Sequence, residues 1–219
     1  MKVINFSEQH SIISAYMAQL RNRDFQSFRP QFRRNLERIG QMMAYEISKT
    51  LNYSPKTIET PLATAHVNTP DDHIVVGTVL RAGLALHEGF LAVFDDAEAG
   101  FVAAYREEGS AEDIKIHLDY LACPDLNGCT FLLVDPMLAT GRSFDVAWKA
   151  YLKNGRPARL HICAVVASQH GVDYLQQLFP SDDVTLWVAA IDPTLNEQAY
   201  IVPGLGDAGD LCFGEKLPQ

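Results

Sequence analysis

The chain has 219 residues, 47% hydrophobic and 21% charged, with a formal charge of −9 at pH 7. That length buries a good core, so residues 1–219 are expected to form a single domain. The acidic balance argues against a broad nucleic-acid surface. No apolar run approaches the roughly 18 residues that span a bilayer, so no membrane partner is expected. Met1-Lys2 is followed by VINFSEQH, which has neither the apolar core nor the cleavage site of a signal peptide. Cys123, Cys129, Cys163 and Cys212 form no CxxC pair and no metal-ligand spacing, and are expected to be free thiols suited to a reduced cytoplasm.

Residues 7–22 and 25–52 are predicted to be helices. In the second, Phe25, Phe28, Phe32, Leu36, Ile39, Met43 and Ile47 recur at three- and four-residue steps, a stripe for the core or for a dimer seam. Short β-like runs follow: KTIETPLATA, IVVGTVL, GFVAAYR, IHLDYLA, TFLLVD, RLHICAVVAS and DVTLWVAAID. Helical patterns separate several of them, after Arg81, over 143–154 and over 171–179. Strands alternating with helices imply an α/β fold, a mostly parallel twisted sheet with helices on both faces, plus N-terminal helices and a small β-arm or hood. Sites in such sheets lie beyond the carboxyl ends of the strands, where Arg81, Arg106, Asp135 and Asp192 fall. His10, His66, His73, His87, His117, His161 and His170 show no ligand-like spacing and are expected to be structural or solvated.

The stretch LLVDPMLATGRS, Leu132 to Ser143, carries the most chemistry. A strand ends in an aspartate, and Thr140-Gly141 then opens an amphipathic helix. Free N–H groups and the helix dipole at such a turn attract a phosphate. The aspartate can take hydroxyls or a metal-bound water. A ribose 5-phosphate fits that pairing. The segment lacks the lysine of GxxxxGK[ST] and the spacing of GxGxxG, which excludes a P-loop and a dinucleotide fingerprint.

Three stretches in this order, TVLRAGLAL (78–86), DPMLATGRS (135–143) and YIVPGLGDAGD (200–210), resemble the uracil phosphoribosyltransferase family. RNRDFQSFRPQFRRNLERIGQMMAYEI near the start extends the likeness over most of the chain. The resemblance implies transfer of ribose 5-phosphate from 5-phosphoribosyl 1-diphosphate (PRPP) to N1 of uracil, giving UMP and pyrophosphate. It implies a PRPP site of Arg81, Arg106, Asp135, Pro136, Met137, Leu138, Ala139, Thr140, Gly141, Arg142, Ser143 and Asp207, with Asp207, Asp135 and Arg106 closest to the chemistry. Backbone N–H groups from Ala139 to Ser143 would cradle the 5′-phosphate, and Asp135 would hold the ribose hydroxyls. Arg81 and Arg106 would neutralise the diphosphate, a task that suits guanidinium. Uracil would lie against Ile201, Gly206, Asp207 and Ala208. With one acid before Pro136, Mg²⁺ is expected to arrive with PRPP or pyrophosphate rather than in a protein-held site. Residues 106–128 would be a lid or arm and 190–213 the base-binding hood. The family commonly forms dimers, so a homodimer or higher homo-oligomer is expected.

Four departures stand out. Arg142 occupies a position where the family usually has glycine. The lid reads EEGS and then IHLDYLA. Ser168 to Gly171 (SQHG) replaces the usual APEG, and Leu211 stands where a basic residue is common. Two alternatives remain open at this point: a phosphoribosyltransferase for another base, or a catalytically weak regulator that senses PRPP or UMP.

Overall fold

Runs such as IVVGTVL and RLHICAVVAS carry apolar residues at nearly every position, the pattern of strands covered on both faces. The computed structural model describes residues 1–106 and 116–216, and these runs form the centre of its main sheet. The chain opens with β1 (Lys2–Asn5) and a short 3₁₀ turn, followed by α1 (Ile13–Arg21), α2 (Arg23–Gln26) and α3 (Arg29–Ser48). A hairpin of β2 (Tyr53–Glu59) and β3 (Thr64–Pro70) stands apart from the main sheet. Then come β4 (Ile74–Leu80), α4 (Leu84–Leu91), β5 (Glu98–Arg106), β6 (Ile116–Ala122), β7 (Thr130–Val134) and β8 (Met137–Leu138). The remainder is α5 (Arg142–Tyr151), β9 (Arg159–Ser168), α6 (Gln169–Leu178), β10 (Val184–Asp192), the short strands β11 (Thr194–Leu195) and β12 (Ile201–Val202), and α7 (Ala208–Phe213).

The sheet order is β1-β10-β9-β7-β4-β5-β6, with β8 added to β9. Every neighbouring pair is parallel except β5 with β6. Alternate side chains enter two cores. Ile74, Val76, Leu132 and Val134 pack with α1, α3 and α4, while Val75, Phe131, Leu133 and Ile162 pack with α5 and α6. From β4 the chain proceeds through α4 to β5 on one side, and from β7 through α5 to β9 on the other. The direction of winding therefore reverses between β4 and β7, which opens a crevice at their carboxyl ends.

Several boundaries differ from the sequence reading. The expected helix over 25–52 is broken at Ser27-Phe28, and Pro30 in the first turn of α3 fixes the new start. Phe25 and Phe28 match the helical period yet are 43% and 64% exposed. Phe32, Leu36, Ile39, Met43 and Ile47 are buried within this one chain, so these five positions of the stripe are core. Likewise the expected helix over 7–22 is ordered as α-helix only from Ile13. KTIETPLATA is two strands, because Thr60 Oγ1 and N–H both donate to the Ala63 carbonyl and close a tight turn. β1 has no signal in its four residues and is placed only by pairing with β10. Of the expected lid, Ile116–Ala122 is the edge strand β6, and 107–115 lie outside the described residues, as do the side chain of His117 and residues 217–219.

All four cysteines are unpaired, and burial pushes the thiols of Cys129 and Cys212 up to about 12 and that of Cys123 to about 11. No helix among the described residues is long and apolar enough to cross a membrane.

His161 is buried between β7 and β10, where its Nδ1 accepts from the Trp187 indole N–H at 3.0 Å. Burial lowers its pKa to about 4; nearby Arg159 adds to the shift and Asp72 opposes it. The fold thus prefers neutral imidazole, whereas the unfolded chain takes up a proton near the ordinary value of about 6.5. The resulting stability is complete above about pH 6.5 and is lost as the pH falls toward 4, worth up to about 3 kcal/mol. Urea unfolding of wild type and His161→Gln at pH 7 and pH 4 checks this. The glutamine keeps an acceptor for Trp187, so its stability should fall less over that range by a sizeable part of that amount, and parallel losses would refute the assignment.

Candidate active site

At the carboxyl end of β7, Asp135 is buried to 7% exposure and its Oδ1 accepts from the Met137 N–H at 3.2 Å. Beyond it the chain keeps its direction, and Met137 and Leu138 pair parallel with Val166 and Ala167 of β9. Pro136 is buried and its carbonyl accepts from the N–H groups of Val165 and Val166. Leu138 is fully buried in the core. These residues anchor the loop, which leaves Ala139 to Ser143 as its open arc.

Ser168 finishes the anchoring. Its hydroxyl donates to the Ala139 carbonyl at 2.6 Å and accepts from the Gly171 N–H at 2.9 Å, so one side chain caps α6 and holds the loop. The departure at SQHG is thus a working cap. Gly141 has φ +81, and a Cβ there would lie 2.6 Å from the Tyr174 ring, so only glycine fits. It opens α5 with no cap from its own side chain; the Arg142 N–H makes only a long 3.5 Å contact to Thr140 Oγ1, which an anion at this helix start could replace. Behind the loop, Asp145 Oδ2 accepts from Lys149 Nζ at 2.8 Å and from the Tyr174 hydroxyl at 3.0 Å. Burial, then the bond to Asp145, raises the Tyr174 pKa, and the charge of half-buried Arg142 partly opposes the rise.

The adjacent loop follows β4. Gly83 packs so tightly that a Cβ would fall 2.1 Å from Thr78 Oγ1, which itself donates to the Val134 carbonyl. The Leu80–Arg81 peptide is cis. Arg81 reaches across the crevice to α7. Its Nη2 donates to Asp210 Oδ1 at 2.9 Å and its Nη1 to the Gly214 carbonyl at 3.2 Å. Arg106 ends β5 on the same edge of the sheet, but its side chain lies outside the described residues.

The third wall is the hood, carried on the β11–β12 hairpin. Ile201 and Ala208 turn their side chains into the core, so only their backbone groups can meet a ligand. Gly206 is exposed, and Asp207 caps α7 by accepting from the Asp210 N–H at 2.9 Å. Gly206, Asp207, Asp210 and Leu205, with Gln26 and Ser27, line an open cleft of about 300 Å³. The N-terminal wall of this cleft lies within RNRDFQSFRPQF, a stretch of the family likeness to which the sequence reading gave no role in the site.

Four residues that hold the hood were missed by sequence reasoning or given no role. Asp192 ends β10, but Arg21 engages both of its oxygens at 2.7 and 2.8 Å, and the Gly204 N–H donates to Oδ2 at 2.8 Å. Gln26 Nε2 donates to the Leu205 carbonyl at 2.7 Å. These partners lie more than 170 residues from Arg21 and Gln26, beyond the reach of any local pattern. Asp210 was read only as part of a motif, yet it is the partner of Arg81.

Replacing Ser168 by alanine removes both the cap and the loop bond, which should cost about 1–2 kcal/mol. A thermal melt of Ser168→Ala that coincides with wild type would show that the hydroxyl does not anchor the loop.

Residues 7–215 match the uracil phosphoribosyltransferase family. A uracil phosphoribosyltransferase of Porphyromonas gingivalis is 48% identical over 217 residues, covering 99% of this chain and all of that protein. One from Thermococcus gammatolerans is 37% identical and covers 96% of this chain and 92% of that protein. Among solved structures, the AQ2163 protein of Aquifex aeolicus superposes with a TM-score of 0.87 at 30% identity, over 97% of this chain and 98% of that one. The chain therefore belongs to the uracil phosphoribosyltransferase family.

Proposed function

We propose that the protein transfers ribose 5-phosphate from PRPP to N1 of uracil, producing UMP and pyrophosphate in pyrimidine salvage. The observation that carries this reading is the Arg81–Asp210 ion pair, which joins the diphosphate loop to the hood across the crevice beside Asp135. Three loops that the family uses for one substrate pair thus meet at the sheet's carboxyl edge.

In this reading the open arc Ala139–Ser143 and the N-terminus of α5 take the 5′-phosphate, and Arg142 adds a cation beside it. Asp135 accepts from the ribose hydroxyls. Arg81 and Arg106 bind the diphosphate, with Arg81 exchanging part of its hold on α7 for the ligand. Uracil presents an acceptor, a donor and an acceptor along one edge. An N–H, C=O, N–H series from Ile201, Gly206 and Ala208 complements it, and cytosine would leave buried groups unpaired. The bond from C1′ to the diphosphate oxygen breaks with its electron pair leaving on pyrophosphate. Uracil N1 then bonds to the electron-poor C1′ and releases its proton. Asp207 Oδ1 is engaged by the Asp210 N–H, so Oδ2 is the oxygen offered to N1–H. Arginine charge on the leaving group and exclusion of water supply most of the acceleration.

Mg²⁺ enters this scheme as part of the PRPP substrate. Asp135 is followed by Pro136, and its Oδ1 already holds the Met137 N–H. Among the described residues no three His, Cys, Asp or Glu side chains come together as a metal site. This donor set suits a metal carried by the diphosphate. The free thiols, three of them buried, suit a reducing cytoplasm. We assign a homodimer, supported by the β2–β3 hairpin, where Ile58 and Leu62 are 45% and 96% exposed.

UMP formation from uracil and PRPP with Mg²⁺ tests the assignment, run beside Asp207→Asn and Asp207→Ala. Both variants should lose about 10²-fold or more in turnover. Asparagine keeps the α7 cap and should melt with wild type, whereas alanine should lose about 1 kcal/mol as well. A wild-type protein that binds PRPP by calorimetry and makes no UMP would overturn the catalytic reading.

A further inference from the structure

Residues 20–26 belong to the N-terminal helical segment, far in sequence from the hood, yet they hold it at three points. Arg21 Nη1 donates both to Asp192 Oδ2 at 2.8 Å and to the Gly204 carbonyl at 2.9 Å, while Nη2 donates to Asp192 Oδ1 at 2.7 Å. The Gly204 N–H donates to the same Asp192 Oδ2 at 2.8 Å. Both backbone polar groups of Gly204 are therefore engaged by one ion pair, whose side chains are 25% and 7% exposed. Gln26 Nε2 then bridges the Leu20 and Leu205 carbonyls at 2.8 and 2.7 Å. Gly204 has φ +56, and a Cβ there would sit 2.0 Å from the Ile201 carbonyl, so the backbone makes its turn in one place only.

Resting on the reading of 201–208 as the uracil loop, we propose that Arg21, Asp192 and Gln26 are positioning residues for base recognition. None of them is required to touch the base. They fix the orientation of the peptides at 204 and 205, directly before Gly206, Asp207 and Ala208. Selection by backbone groups depends on polarity order: a peptide rotated by half a turn offers a C=O where uracil needs an N–H. A glycine-rich loop has little resistance of its own to such rotation. A bidentate guanidinium–carboxylate pair has fixed geometry and supplies that resistance. The chain thus fixes the identity of the base from its N-terminal segment, while the phosphate and diphosphate loops are held by other contacts, those of Ser168, Asp135 and Thr78.

The test is steady-state kinetics of Arg21→Met, Arg21→Lys and Gln26→Met, with uracil, PRPP and cytosine varied separately. Arg21→Met should raise the uracil KM by about tenfold or more while the PRPP KM stays within about twofold. Its preference for uracil over cytosine should fall. Arg21→Lys, which keeps the cation, should recover part of the loss, and Gln26→Met should shift uracil KM in the same direction by a smaller factor. Equal rises in both KM values, or an unchanged uracil KM in folded variants, would overturn the proposal. Should Arg21→Met fail to fold, an unchanged uracil KM in folded Gln26→Met overturns it equally. Gly206→Val separates this from failure of the loop assignment. If that variant folds and leaves uracil KM unchanged, the base-loop reading falls and the proposal with it. If it raises uracil KM and the Arg21 and Gln26 variants do not, the loop stands and only the positioning role is lost.

Discussion

At the carboxyl edge of a parallel sheet the hydrogen-bond ladder runs out, and the N–H and C=O groups of each outgoing turn need other partners. This chain meets the need with a polar side chain at or near the end of each central strand. Thr78 donates to the Val134 carbonyl, Asp135 accepts from Met137, Ser168 spans Ala139 and Gly171, and Asp192 accepts from Gly204. Each bond fixes the exit direction of a loop, and the crevice takes its shape from those directions. Thr78, Asp135, Ser168 and Asp192 are all buried, where an unpaired polar group would be costly, so the stitches resist breaking.

The loops so fixed are also joined to one another. Arg81 ties the β4 loop to α7, and Arg21 ties the β10 end to the N-terminal helices. In the proposed scheme a charged ligand at Arg81 meets a residue already bonded to the hood. Binding at one end of the crevice and the set of the loop at the other share a single guanidinium. Arg21 is occupied differently, bonded to both oxygens of Asp192 and to the Gly204 carbonyl.

Much of this was legible because the physics involved is local. Strands buried on both faces write themselves as apolar runs, and the central strands were found where IVVGTVL, TFLLV and RLHICAVVAS stand. The turn at Asp135 to Gly141 was readable from its acid, its threonine and its glycine. What escaped was whatever depends on distant partners. KVIN is a strand only because β10 lies beside it. Phe25 and Phe28 continue a helical period into a segment that Pro30 interrupts. The polar run holding Arg21 and Gln26 looks like any solvated helix end, since nothing nearby in the sequence announces Asp192 or Leu205. Ser168 could be read as a departure from its family and not as a cap, because its second bond crosses to another loop.

The pairing of β1 with β10 has a consequence for how the molecule assembles. Residues 2–5 find their partners at 185–188, and Arg21 finds its carboxylate at 192. During synthesis these early segments must wait until most of the chain has emerged, while α3, α4 and β4 can already associate through contacts closer in sequence. Until β10 arrives, one edge of β9 lies bare and the hood does not yet exist. The crevice is therefore completed last, and a ribosome that stalls late leaves a nearly whole sheet with an adhesive edge and no hood.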